Sequence, residues 1–126
     1  MQIVTHQIKG KGRGKKIGIP TINLKIPDDF NLQNGIYAAR VRIQQKIYSA
    51  ALHYGPVPTF EEENNSLEIM LIDTPEKEIP NTKNESIEVN IGSRIREIKK
   101  FISIKDLKKQ IDSDITMIKD LLKINI

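Results

Sequence analysis

The sequence predicts a mainly β fold, an antiparallel sheet closed into a small barrel and followed by one α-helix. About six short segments alternate apolar and polar residues, which is the two-residue period of a half-buried strand. The last segment changes to helical spacing. In a chain of 126 residues, closure of the sheet is the simplest way to remove exposed strand edges. We therefore expect one domain with a single core.

The predicted strands are separated by clear turn signals. They are residues 2–8, the run around Leu24 and Ile26, and residues 36–43, 47–54, 66–73 and 85–91. The short connection at 44–46 predicts a hairpin between the third and fourth strands. Gly92 is expected to end the last strand. Residues 74–84 contain two prolines and four charged residues, which is typical of a surface loop.

The helix is predicted to begin after Ser103, with Ser103 as N-cap and Asp106 in the first turn. Apolar residues then recur at helical spacing: Ile104, Leu107, Ile111, Ile115, Ile118 and Leu122. This pattern predicts an amphipathic helix packed on one side of the sheet. The run Asp112-Ser113-Asp114 is expected to kink or re-cap it.

Composition limits the classes of function. The chain has no cysteine, which excludes disulfides and thiolate metal sites and fits a reducing cytoplasm. Its net charge of +4 suits an anionic partner, but three Phe and three Tyr offer little base stacking. No apolar run approaches the length of a membrane span, and no signal peptide is evident at the start.

The segment 10–23 is the most unusual part of the chain. It holds four of the seven glycines and four basic residues, and it ends in Pro-Thr-Ile-Asn. Glycines allow backbone N–H groups to approach an anion closely. Pro20 fixes the backbone just before Thr21, whose hydroxyl is a suitable Mg²⁺ ligand when phosphate oxygens supply other contacts. The spacing fits neither a Walker A nor a Rossmann motif, and a solvated basic turn is the alternative.

Glu68 is the strongest candidate for a catalytic carboxylate. It lies inside an apolar strand, on the face that also carries Met70 and Ile72. A general base aimed at a pocket is one interpretation. A solvated face, or a structural ion pair, is the other. For His53 we expect a structural or peripheral role, and for Arg40 and Arg42 the solvated face of a strand.

In an ordered set of motifs, the chain resembles the riboflavin kinases, including the kinase module of bacterial bifunctional FAD synthetases. The segment 10–23 resembles the family's glycine-rich segment ending in Gly-Phe/Ile-Pro-Thr-Ala-Asn. The other matching motifs are Gly35-Ile36-Tyr37-Ala38, Gly55 with Pro58-Thr59-Phe60, the strand Leu67 to Asp73, and Arg96 with Phe101, Ser103, Leu107, Gln110, Ile111 and Asp114.

The resemblance implies a single riboflavin kinase-like domain over residues 1–126, with a closed six-stranded antiparallel Greek-key barrel and a C-terminal α-helix. It implies transfer of the γ-phosphate of ATP to the 5′-hydroxyl of riboflavin, giving FMN and ADP, with Mg²⁺ as cofactor. Glu68 would be the catalytic base. Thr21 and Asn23 would bind the metal. The nucleotide site would comprise Gly10, Gly12, Gly14, Lys15, Gly18, Pro20, Thr21 and Asn23. The flavin site would comprise Arg96, Phe101 and Leu107.

The sequence departs from the family pattern at three peripheral positions. Lys15 and Val57 stand where the family has arginine, and Ile98 stands where it has glutamate. These departures motivate an alternative function, a catalytically weak or inactive flavin- or nucleotide-binding module of the same fold. For the leading function we expect a cytoplasmic monomer whose partners are riboflavin, FMN, ATP and ADP, with no nucleic acid or membrane partner.

Overall fold

The computed structural model describes residues 1–10, 18–61 and 64–124. Within these ranges the chain forms six strands and one α-helix. They are β1 (Gln2–His6), β2 (Ile22–Leu24), β3 (Gly35–Ile43), β4 (Lys46–Gly55), β5 (Ser66–Leu71), β6 (Ser86–Arg96) and α1 (Ile104–Ile124). Short 3₁₀ turns lie at Pro58–Phe60 and Glu76–Glu78.

The six strands form one antiparallel sheet in the order β1-β6-β3-β4-β5-β2. Among the described residues, the two edge strands meet through a bridge between Gln7 and Leu24 and two flanking backbone hydrogen bonds. The Thr5 hydroxyl also donates to the Lys25 carbonyl. Strand β2 pairs with β5 over all three of its residues, whereas a single bridge rather than a continuous ladder links its other edge to the end of β1. The sheet is therefore a curled half-barrel, and the predicted closed barrel is wrong. The mainly β class and the C-terminal helix are confirmed.

The main core lies inside the curl of the sheet. Strand residues alternate between its two faces, so every second side chain points inward. The fully buried side chains of this core include Leu24, Val41, Ile43, Leu52, Leu67, Ile69, Ile87 and Val89. A second cluster packs α1 on the opposite face, where Ala38, Ala51 and Ile72 surround Ile118. Each of the two faces therefore buries apolar side chains.

Strand β6 continues past Gly92 to Arg96, so the expected strand end at Gly92 is wrong. A Cβ built on Gly92 would lie 3.1 Å from the Ala38 carbonyl oxygen. The β3–β6 register also shifts between Ile36 and Ala39. Glycine here marks a close backbone approach at an irregular pairing rather than a strand end.

Helix α1 begins as predicted, since the Asp106 N–H donates to the Ser103 hydroxyl at 3.1 Å. It runs without interruption through residues 112–114, so the expected kink is absent from this described helix. Arg40 is only partly exposed and donates to the Leu122 carbonyl at 2.8 Å. The expectation of a solvated Arg40 is therefore wrong, whereas Arg42 is exposed.

Candidate active site

Three neighbouring strands, β2, β5 and β4, carry polar side chains on the face of the sheet that points away from the main core. Ile22 and Leu24 of β2 point into the core, which leaves Thr21 and Asn23 on the other face. The same alternation puts Glu68 of β5 and His53 of β4 on that face. Asn23 is the register partner of Glu68, and Glu68 is the register partner of His53. Strand pairing thus brings residues distant in sequence into one row.

Glu68 is buried, with 7% of its surface exposed. The Thr21 hydroxyl donates to Oε1 at 3.3 Å, and the Ser66 hydroxyl donates to Oε2 at 3.0 Å. Buried carboxylates need such partners, because burial without hydrogen bonds is strongly unfavourable. The burial of Glu68 shows that the expectation of a solvated face is wrong. The general base and the structural ion pair both stay predictions.

Gly10 lies directly against the Asn23 side chain. A Cβ built on Gly10 would lie 1.8 Å from the Asn23 side-chain nitrogen and 2.4 Å from its Cγ. Even an alanine at position 10 would therefore displace the Asn23 amide. The glycine at this position therefore leaves room for the Asn23 amide.

A largely apolar cavity of about 130 Å³ opens beside these residues. Its polar lining side chains include Thr21, His53, Glu68, Arg96 and Asp114. Its apolar wall includes Ile19, Pro56, Val57, Met70, Ile98, Phe101, Leu107 and Ile111. Two loop segments, residues 56–59 and 98–101, form part of the cavity wall. A hydrogen bond joins them, since the Phe101 N–H donates to the Thr59 hydroxyl at 3.1 Å.

An ion pair between Arg96 and Asp114 joins the end of β6 to α1. The Arg96 Nη2–Oδ2 distance is 2.8 Å, and Nε lies 2.9 and 3.0 Å from the two carboxylate oxygens. Gln110 donates to the same carboxylate at 3.0 Å. Arg96 also lies over the Phe101 ring, 5.8 Å from its centroid. This pair holds the helix against the segment that carries Phe101.

The structure brings five of the predicted site residues to one cavity: Thr21, Glu68, Arg96, Phe101 and Leu107. Gly18, in the left-handed backbone region at φ 74°, and Pro20 flank the lining residue Ile19. The predicted nucleotide residues Gly12, Gly14 and Lys15 lie outside the described residues.

Sequence reasoning missed two residues of this site. His53 lines the cavity, so it is not peripheral to it. Its Nε2 lies 3.1 Å from the Pro56 carbonyl oxygen, a contact that fits the other half of the expectation, a structural role. Ser66 contacts Glu68 directly. Its position two residues before Glu68 on a strand was the available signal, because such residues share a face.

The donor set suits a metal that needs few protein ligands. Among the described residues, no group of three or more His, Asp or Glu could hold a metal ion. The Thr21 hydroxyl and the Asn23 amide oxygen are neutral, hard donors on one face. Mg²⁺ typically keeps several waters and takes its remaining ligands from substrate phosphates. The residues present fit such a shared site.

The comparison with protein families identifies the chain. The riboflavin kinase family model matches residues 1–122. The chain belongs to the riboflavin kinase family.

Curated relatives include the bifunctional riboflavin kinase/FMN adenylyltransferases of Haemophilus influenzae and Bacillus subtilis. They are 33% and 32% identical to this chain and cover 90% and 85% of it. An RNA-binding riboflavin kinase of Bacillus subtilis is 32% identical over 88% of the chain. The chain spans 36%, 34% and 46% of the lengths of these three relatives.

A solved structure shares the fold. The crystal structure of a macrolide-efflux protein from Streptococcus pneumoniae superposes with a TM-score of 0.76 and 28% identity. The match covers 94% of this chain and 38% of that one. In the described part of this chain, the helix is not long and apolar enough to cross a membrane.

Proposed function

We propose that this chain is a riboflavin kinase, which transfers the γ-phosphate of ATP to the 5′-hydroxyl of riboflavin and releases FMN and ADP. One observation carries the proposal: the Thr21 hydroxyl contacts the buried Glu68 carboxylate at the edge of an apolar cavity. Membership of the riboflavin kinase family supports the same reaction.

Glu68 acts as the general base in this proposal. Phosphoryl transfer proceeds through a loose transition state, so catalysis depends on alignment and charge neutralisation more than on early proton removal. Glu68 therefore accepts a hydrogen bond from the ribityl alcohol, orients its oxygen towards the γ-phosphorus and takes the proton late. Its burial supports this role, since water competes poorly there for the carboxylate.

Thr21 and Asn23 would hold Mg²⁺ through their side-chain oxygens and would therefore mark the phosphate side of the site. The metal would supply positive charge that neutralises the nucleotide phosphates. Gly10 leaves room for the Asn23 amide. Gly18 and Pro20 continue the nucleotide side of the site, and Gly12, Gly14 and Lys15 are proposed to cover the phosphates.

The apolar wall is proposed to receive the flavin. Phe101 and Leu107 offer apolar surface for the ring system, and Arg96 is the proposed polar contact beside them. Pockets that bury a drug-sized ligand measure roughly 300–1,000 Å³. The cavity of about 130 Å³ encloses only part of a tricyclic ring, so the rest of the ring would lie at its open side.

The test is FMN formation. The purified protein is incubated with riboflavin, ATP and MgCl₂, and the products are separated by chromatography. We expect FMN and ADP in equal amounts, and none when EDTA replaces MgCl₂. CTP in place of ATP tests the nucleotide preference. Quenching of riboflavin fluorescence without FMN would contradict the kinase and favour the binding module.

A further inference from the structure

Ser66 contacts the proposed base through the side chain rather than the backbone. It is the first residue of β5 and shares a face with Glu68, two residues later. Its Oγ lies 3.0 Å from Glu68 Oε2 and 3.5 Å from the Gly55 carbonyl oxygen. A hydroxyl has one proton to donate. Of these two oxygens, Glu68 Oε2 is both the nearer and the stronger acceptor, because it belongs to a carboxylate.

A second hydroxyl matters because the end of a glutamate side chain rotates easily. The terminal torsion of glutamate has a broad, roughly two-fold profile, so one hydrogen bond leaves the carboxylate plane loosely defined. Thr21 binds Oε1 at 3.3 Å, which is beyond the usual range for an O–H donor. Ser66 binds the other oxygen at the shorter distance. Together the two contacts fix the plane.

A carboxylate has about four lone-pair sites, so each of its oxygens can accept more than one hydrogen bond. Thr21 has a second task in the proposed mechanism, as a ligand of the metal. Ser66 is not a cavity-lining residue in the described structure, so its contact with Glu68 can persist while substrates bind and leave.

We infer that Ser66 is a positioning residue for phosphoryl transfer, holding the Glu68 carboxylate in the orientation that receives the acceptor alcohol. The inference rests on the proposed kinase function. Because Ser66 does not line the cavity in the described structure, its removal should lower kcat without changing substrate affinity. Another side chain that carries a hydroxyl at a similar distance, such as threonine, should restore kcat.

The experiment compares Ser66→Ala and Ser66→Thr with the wild-type protein. A general base raises the reaction rate by about 10²–10⁴-fold, and a wrongly oriented base loses part of that acceleration. We expect Ser66→Ala to lower kcat about tenfold while the KM values for riboflavin and ATP stay unchanged. Ser66→Thr should recover most of the rate. Ser86→Ala is the matched control, since Ser86 also opens a strand but is exposed on β6.

A double-mutant cycle separates positioning from structure. In a Glu68→Gln background, Ser66→Ala should produce no further loss of kcat, because the base it orients is gone. The inference is overturned by a wild-type kcat in Ser66→Ala, or by an equal loss in both backgrounds.

A high-resolution crystal structure of Ser66→Ala gives a readout that does not depend on activity. We expect the Glu68 carboxylate to take a second orientation there. An unchanged, single orientation would overturn the inference. Absence of FMN from the wild-type protein would instead refute the kinase proposal, and the crystallographic comparison would still decide whether Ser66 orients Glu68.

Discussion

Replacement of Asp114 by asparagine removes one charge from the ion pair that joins β6 to α1. The Arg96 and Asp114 side chains are 13% and 6% exposed, so water screens neither charge effectively. Removal of one partner of a buried pair typically destabilises by about 3–5 kcal/mol, because the other charge stays buried. Asparagine keeps one acceptor oxygen, which places the expected loss near the lower end, about 3 kcal/mol.

The assay is urea unfolding followed by circular dichroism, together with a thermal melt. A loss of about 3 kcal/mol corresponds to a fall of about 10 °C in Tm for a chain of this size. Glu88→Gln is the matched control, because its partner Arg42 lies 3.8 Å away and the two side chains are 39% and 55% exposed. That change should alter stability by less than about 1 kcal/mol. Equal effects of the two substitutions would refute the assignment of Arg96–Asp114 as a buried structural pair.

Three further variants test the proposed metal ligand, the contact at Gly10 and the hairpin turn. Thr21→Val removes a hydroxyl with little change in shape, and the Mg²⁺ concentration for half-maximal rate should rise roughly tenfold or more. An unchanged metal titration would exclude Thr21 as a ligand. Gly10→Ala should displace the Asn23 amide and raise the KM for ATP roughly tenfold, about 1.4 kcal/mol, while the melting temperature hardly moves. An unaltered KM would show that the amide's position is unimportant. Gln44 and Gln45 both have positive φ, so Gln44→Asn with Gln45→Gly should stabilise the hairpin by about 1 kcal/mol in urea unfolding. A less stable variant would contradict the turn geometry.

Much of the strand pattern could be predicted because alternation is a local property. Residues 36–43 and 47–54 correspond closely to β3 and β4, and their apolar faces point into the core. Closure of the sheet is not local. It depends on whether β1 and β2, which are distant in sequence, form a ladder, and the structure has only a single bridge between them.

Gly92 shows a second limit of local reasoning. Glycine in a strand pattern is read from sequence as an end, but here it allows the Ala38 carbonyl to approach. The strand that requires a glycine at position 92 is β3, and its residue Ala38 is more than fifty positions away in sequence. The buried Arg96–Asp114 pair was hidden for the same reason, since nothing in either segment alone identifies its partner.

The candidate site was predicted in part through the resemblance to a family and in part through Glu68 itself. A carboxylate inside an apolar strand is a visible anomaly, and the structure explains it by two hydroxyl donors. His53 was not recognisable as a site residue, because its place beside Glu68 follows from the register of β4 and β5. The roles of Gly12, Gly14 and Lys15 stay predictions.

Glu68 is proposed to take the proton of the acceptor alcohol, and Glu68→Gln removes that ability. Glutamine keeps the size of the side chain and can still accept a hydrogen bond, but it cannot take a proton at neutral pH. Single-turnover FMN formation should fall by about 10²–10⁴-fold, while riboflavin fluorescence titration gives an unchanged Kd and the melting temperature stays close to that of the wild type. FMN formation at the wild-type rate in this variant would contradict the account.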